Sequence, residues 1–194
     1  MSAVVTQAHY TAEDYLTLER SASYKSEFHD GQIYAMTGAS RKHNLITVNI
    51  AGELCSQLKK RPCEAYINDM RIKAAEAPSY HYPDIAVVCG KPQFEDGQMD
   101  TLLNPTLLIE VLSPSTEAYD RGGKFARYRK IPTLREYLLV TQDQPSIERY
   151  QRQGDVWILS EAIGLEASVT LESIGCVLSL HEVYDKVLDD GDNN

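Results

Sequence analysis

No stretch of this sequence approaches the ~18 consecutive apolar residues a membrane-spanning helix needs. Met1 to Tyr10 lacks the charged start and apolar core of a secretory signal, so the expected location is cytoplasmic, with no membrane partner. Zinc-ligand spacing is also missing. The four cysteines (Cys55, Cys63, Cys89 and Cys176) form no CxxC pair, and the five histidines do not space with them as metal ligands. Four separate reduced thiols are expected, which argues against dithiol redox chemistry and structural zinc. Positive charge is scarce: 19 Lys and Arg stand against 28 Asp and Glu, a net charge of −9 and a pI near 5.0. A protein that coats nucleic acid by bulk charge is thereby disfavoured. A nuclease is not, because a carboxylate site is acidic until a cation arrives and a local basic strip can still hold phosphate. Repeats, low-complexity tracts and Pro/Gly/Ser-rich linkers are absent, so residues 1–188 read as one domain, followed by a polar tail at 189–194 expected to be flexible.

What is present is an ordinary globular balance, 43% apolar and 24% charged over 194 residues. Thr11 with Asp14 forms a capping-box start, with Tyr15 and Leu18 expected inward. Asp30-Gly31 between Glu27-Phe28-His29 and Gln32-Ile33-Tyr34 signals a hairpin. Ile46, Ile50, Leu54 and Leu58 draw one apolar stripe along a helix from Ser40 to Lys60, its last turn basic and its end set by Pro62. Short strands are expected at Ala65–Ile67 and Met70–Lys73. Ile85–Val88, Leu107–Leu112 and Tyr137–Val140 read as buried strands, and Gly90–Asn104 as a polar loop. Gly122–Lys130 reads as a helix with Phe125 and Tyr128 inward. A hairpin at Ile147–Leu159, strands at Val169–Leu171 and Cys176–Leu178, and a helix over Leu180–Leu188 close the chain. The order predicts an α+β (mixed α/β) fold, a mixed β-sheet flanked by helices.

Two carboxylates stand out by their surroundings. Asp84 follows Pro83 and opens Ile85-Ala86-Val87-Val88; Glu110 interrupts the run Leu107-Leu108-Ile109-Glu110-Val111-Leu112. A carboxylate in a buried strand is costly unless paired or bound to a cation. Two of them on neighbouring strands repel unless a cation lies between them, and hard cations such as magnesium favour oxygen ligands. The purely structural accounts are a strand-start cap or a salt-bridge partner for Asp84 and a salt bridge, for instance to Arg127, for Glu110.

Tyr82-Pro83-Asp84-Ile85, then Glu110-Val111-Leu112-Ser113-Pro114-Ser115-Thr116, then Asp120 and Lys124, resemble the PD-(D/E)XK nuclease superfamily. Within it the chain is similar to the Uma-two family of restriction-endonuclease-like proteins, whose early pattern is matched by Glu27, Asp30-Gly31 and His43. The resemblance spans roughly Tyr10 to Leu188. One departure is clear: the superfamily places a lysine two residues after the acid, and here Leu112 stands there. The resemblance offers Lys124 from the next helix instead, with Lys73 as its rival.

The resemblance implies a restriction-endonuclease-like core that hydrolyses phosphodiester bonds in DNA with Mg2+ or Mn2+. Asp84 and Glu110 would hold metal, with the Val111 carbonyl as a further ligand. Lys124 would orient water or offset transition-state charge. Glu27 would bind metal through water or position a ligand, and His43 would touch phosphate or Glu27. Arg121, Lys124, Arg127, Arg129, Lys130 and Arg135 make the densest basic stretch, so Arg121, Arg127 and Lys130 are candidate phosphate contacts; a solvated face is the alternative. A homodimer would suit cleavage of two strands. Two other functions compete: a catalytically inactive module that binds nucleic acid or protein, motivated by Leu112 and the acidic pI, and a metallohydrolase for a small phosphorylated molecule.

Overall fold

The computed structural model describes residues 9–74 and 78–188; the expectations for Met1 to Ala8 and for the tail at 189–194 lie outside the described residues. The chain opens with α1 (Ala12–Ser21), β1 (Ser26–His29), β2 (Gln32–Ala35) and α2 (Arg41–Leu58). Next come β3 (Cys63–Ile67), β4 (Arg71–Ala74), β5 (Ser79–His81), β6 (Ile85–Cys89), β7 (Thr101–Leu102) and β8 (Leu107–Val111). A broken helical segment follows: α3 (Glu117–Tyr119), a π turn at Asp120–Lys124, and α4 (Phe125–Tyr128). β9 (Glu136–Val140), β10 (Ser146–Gln153), β11 (Val156–Ile163), β12 (Ser168–Leu171), β13 (Cys176–Ser179) and α5 (Leu180–Val183) complete the fold.

This is a mixed α+β architecture. Its centre is a six-stranded sheet in the order β11-β10-β9-β8-β6-β3, with β8 and β9 parallel and β6 antiparallel to β8. A five-stranded sheet, β2-β1-β5-β4-β7, lies beside it. Side chains of the central strands alternate between two cores. Ile85, Val87, Leu107, Ile109, Val111, Leu138 and Val140 join Ile46, Ile50, Leu54 and Leu58 of α2. Ala86, Val88, Leu108, Leu112, Tyr137 and Leu139 join Phe125 and Tyr128 of α4. Burying each large side chain contributes about 1.5–3 kcal/mol, so the α2 stripe alone anchors that helix.

The local chemistry explains the ends of the elements. The Thr11 side chain accepts the Asp14 N–H and Asp14 returns the bond to the Thr11 N–H, the reciprocal cap expected from sequence. Ser40 caps α2 by accepting the His43 N–H at 3.0 Å. Asp30 and Gly31 take positive φ, 52° and 74°, the geometry a two-residue hairpin turn requires.

Several expectations need correction. Leu18 points outward, 47% exposed, because only Tyr15 of that pair meets Phe28 and Tyr80. Lys59, Lys60 and Arg61 follow the last residue of α2 instead of filling its last turn; Arg61 donates to the Ile174 carbonyl. The loop at Gly90–Asn104 contains β7, which pairs parallel with β4. The helix expected at Gly122–Lys130 starts earlier, at Glu117, and passes through a π turn. The helix expected over Leu180–Leu188 stops at Val183, where Asn49 Nδ2 captures the carbonyls of Val183 and Asp185. Finally, Cys63 and Cys89 are not separate thiols. The β3–β6 register sets them directly opposite, with Cα atoms 4.0 Å apart, and they form a disulfide. Cys55 and Cys176 remain free. No helix among the described residues is long and apolar enough to cross a membrane.

Candidate active site

Strand register brings the two acids together. Ile85 pairs with Ile109, so one further step sets Asp84 opposite Glu110, at the adjoining ends of β6 and β8. Asp84 Oδ2 accepts the Val111 N–H at 2.7 Å. The N–H and C=O of one strand residue lie on the same edge, so the Val111 carbonyl points toward Asp84 as well. His43, at the start of α2, holds Nε2 3.3 Å from Asp84 Oδ1. His43 thus meets Asp84 and not Glu27.

Lys124 reaches the acids from the π turn, not from the first turn of a regular helix. Its Nζ lies 3.0 Å from Glu110 Oε1, 3.0 Å from Glu27 Oε1 and 3.6 Å from Asp120 Oδ1. Glu110 pairs with this lysine, whereas Arg127, the partner a structural account offered, pairs with Asp30. Tyr128 Oη donates to Glu110 Oε1 at 3.2 Å. Glu27 on β1 is fixed from two further directions: the Tyr82 N–H donates to Oε1 at 3.1 Å, and His81 Nδ1 lies 3.2 Å from Oε2. Lys73 is elsewhere, its Nζ 2.5 Å from Glu95 on β4's own sheet.

Burial governs the electrostatics. It pushes the Glu110 carboxyl well above its ordinary range; Lys124 opposes that shift, while Asp120, Asp84 and Glu27 add to it. Asp120 is raised by burial in the same way. Burial works against the Lys124 ammonium too, yet Glu110, Glu27 and Asp120 hold its pKa well above the ordinary lysine value. Burial likewise opposes charge on Glu27, but Lys124 and His81 keep its carboxyl below the usual range. Buried His81 is shifted down, toward the neutral ring.

A cavity of about 580 Å³ opens over the cluster; Glu27, His43, Asp84, Glu110, Val111, Asp120 and Lys124 all line it. Arg121, Arg127 and Lys130 do not. Arg121 is bound to Glu117 and Glu148, Arg127 to Asp30, and Lys130 sits on an exposed helix end. Sequence reasoning missed His81 and the supporting roles of Tyr82, Tyr128 and Asp120. Asp120 belonged to the quoted motif, but nothing in the residues around His81 signals that it supports Glu27.

Among the described residues, no three or more His, Cys, Asp or Glu side chains form a ready-made metal cage. The donor chemistry nonetheless fits a hard divalent cation. Three carboxyl groups, Glu27, Glu110 and Asp120, meet the Lys124 ammonium and Asp84 lines the same cavity; Glu110 and Asp120 are raised by burial. Two carboxylates with a carbonyl are what magnesium takes while keeping several waters.

A mixed sheet with acids at adjoining strand ends, met by a lysine from the following helical segment, defines a restriction-endonuclease-like protein. The Uma2 family model, described as "Putative restriction endonuclease", matches residues 12–181, and the chain belongs to that family. Two Synechocystis proteins are similar to it. The uncharacterized protein sll1609 is 41% identical over 87% of this chain and 96% of its own. The uncharacterized protein slr1290 is 39% identical over 89% and 90%. The crystal structure of a putative nuclease belonging to DUF820 from Anabaena variabilis shares the fold, with a TM-score of 0.77 at 20% identity, covering 92% of this chain and 99% of that one.

Proposed function

We propose that this protein is a magnesium- or manganese-dependent endonuclease that hydrolyses phosphodiester bonds in DNA. One observation carries the reading: Lys124 Nζ lies 3.0 Å from Glu110, restoring from the helical segment the lysine that Leu112 displaces from the strand. Asp84, Glu110 and the Val111 carbonyl would hold the metal. Bound there, a divalent ion would polarise the phosphate and acidify a water. Lys124 is placed to offset negative charge as it develops on the phosphate. Glu27, held by His81 and the Tyr82 N–H, positions that ammonium. His43 steadies Asp84 from the side away from Val111. Two copies related by a two-fold axis would serve cuts in both strands, which light scattering on the purified protein would read as a dimer mass.

The test is nicking of supercoiled plasmid with magnesium, with manganese and with chelator. Asp84→Ala and Glu110→Ala should each lower the rate at least about a hundredfold while the circular dichroism spectrum stays native. Undiminished nicking in both variants rejects the reading. One observation favours a non-catalytic module instead: Lys124 already occupies the oxygens of Glu27 and Glu110. Calorimetric titration with manganese separates the two. Binding that disappears in the Asp84→Ala/Glu110→Ala double variant supports the enzyme, and no site-dependent binding supports the module.

A further inference from the structure

We propose that the mouth of the cavity stacks an unpaired nucleobase, so that the DNA, whether a single strand or a duplex opened locally, is unpaired at the bond that is cut. This rests on the phosphodiester reading above and names its substrate class. Glu27 pairs with Tyr34 and His29 with Gln32 across the β1–β2 hairpin, so Glu27, His29 and Tyr34 share one face. On that face three rings stack in a row. His29 lies 4.2 Å from Tyr34 at 13° between planes, and 5.1 Å from Tyr119 at 23°. The row begins on the segment that supplies Lys124, where Gly123 makes room for it: a Cβ there would lie 2.7 Å from the Tyr119 ring. It ends at Tyr34, which is 46% exposed. All three rings line the cavity that holds Glu27, Glu110 and Lys124.

A row of rings with one accessible end is a stacking platform. A base laid on it needs no counter-ion and is accepted whatever its identity, because every base has a π face. Charge points the same way. Duplex binding leans on neutralising many phosphates, but this chain carries −9. The two lysines that line the cavity are committed, Lys25 to Asp69 and Lys124 to Glu27 and Glu110, and the arginines outside it are paired as well, Arg127 to Asp30 and Arg121 to Glu117 and Glu148. The geometry therefore offers one phosphate position at the acids and one base position at Tyr34.

Fluorescence anisotropy with a labelled oligodeoxynucleotide, single-stranded or annealed to its complement, tests this in chelator, where no turnover is needed. The single strand should bind more tightly than the duplex. Tyr34→Ala should weaken single-strand binding roughly tenfold, and Tyr34→Trp should retain it. Tyr34 is half exposed, so a thermal melt should show both variants folded. Wild-type affinity in Tyr34→Ala, or duplex binding as tight as single-strand binding, overturns the proposal. Cleavage of a circular single strand is read separately, in magnesium. Tyr34-dependent binding without any cleavage would sink the nuclease reading and leave the platform standing; cleavage with binding indifferent to Tyr34 would do the reverse.

Discussion

The two faces of the central sheet are built from the same strands on opposite principles. Along β8, Leu107, Ile109 and Val111 enter an entirely apolar core beneath α2. Leu108 and Leu112 face the other way, and between them Glu110 meets Lys124, Tyr128 and, beyond them, Glu27 and Asp120. The first face gains free energy with every methylene removed from water. The second spends it, since buried ion clusters cost more in lost hydration than a well-packed apolar cluster of the same shape. The difference shows how a rigid site is made. Period-two alternation lets one strand be clamped on one side and chemically loaded on the other.

Matched truncations on β8 give the hardest test of that contrast. Glu110→Ala should abolish nicking, at least about a hundredfold, without unfolding the protein. Its neighbour Ile109→Ala should lose about 2–5 kcal/mol of stability in urea unfolding, yet keep wild-type initial rates wherever it remains folded. A folded but inactive Ile109→Ala would mean that the faces are not separable.

Lys124→Met sharpens the contrast from within the loaded face. It strands Glu27, Glu110 and Asp120 without their shared counter-charge and should cost about 3–5 kcal/mol. Adding Glu110→Gln removes one of the stranded acids and should return part of that loss, a non-additivity visible in a double-mutant cycle. Strictly additive losses would show that the ion cluster does not act as a unit.

The clamped face was legible in the sequence and the loaded face only in outline. The four-residue spacing from Ile46 to Leu58 names α2 and its buried stripe without help. Asp30-Gly31 names the hairpin, and the runs around Ile85, Leu107 and Tyr137 name the central strands. Asp84 and Glu110 announced themselves as acids in apolar company. Lys124 did not; it came from resemblance, because its approach depends on a π turn through Gly122-Gly123 that no helical periodicity encodes. β5 and β7 are three and two residues long; β5 is held by neighbouring β4 and by distant β1, and β7 by its parallel pairing with β4. His81 is visible as a support for Glu27 only once β5 lies beside β1. The Cys63–Cys89 bond likewise follows from strand register, not from cysteine spacing.

The smallest expected effect lies outside both faces and asks whether acid sensitivity belongs to the site at all. Asp100 accepts from Arg20 Nε at 2.9 Å and lies 2.8 Å from Arg71, which also donates to Tyr82. The Arg20 hydrogen bonds hold its carboxyl well below the ordinary 3.8; burial opposes them and Arg71 assists. In the unfolded chain Asp100 takes up its proton near that ordinary value, while in the folded chain it resists protonation. The stabilisation is therefore complete above pH ~4 and is lost as pH falls toward the folded value. Asp100 is about a third exposed, and with solvent screening its contribution is on the order of 1 kcal/mol. Asp100→Asn should thus be less stable than the wild type near neutrality, and the gap should close as unfolding is repeated at progressively lower pH. A gap that holds constant into acid would take Asp100 out of the acid response and leave Glu27, the carboxyl of the loaded face that is also held below its usual range, to account for it.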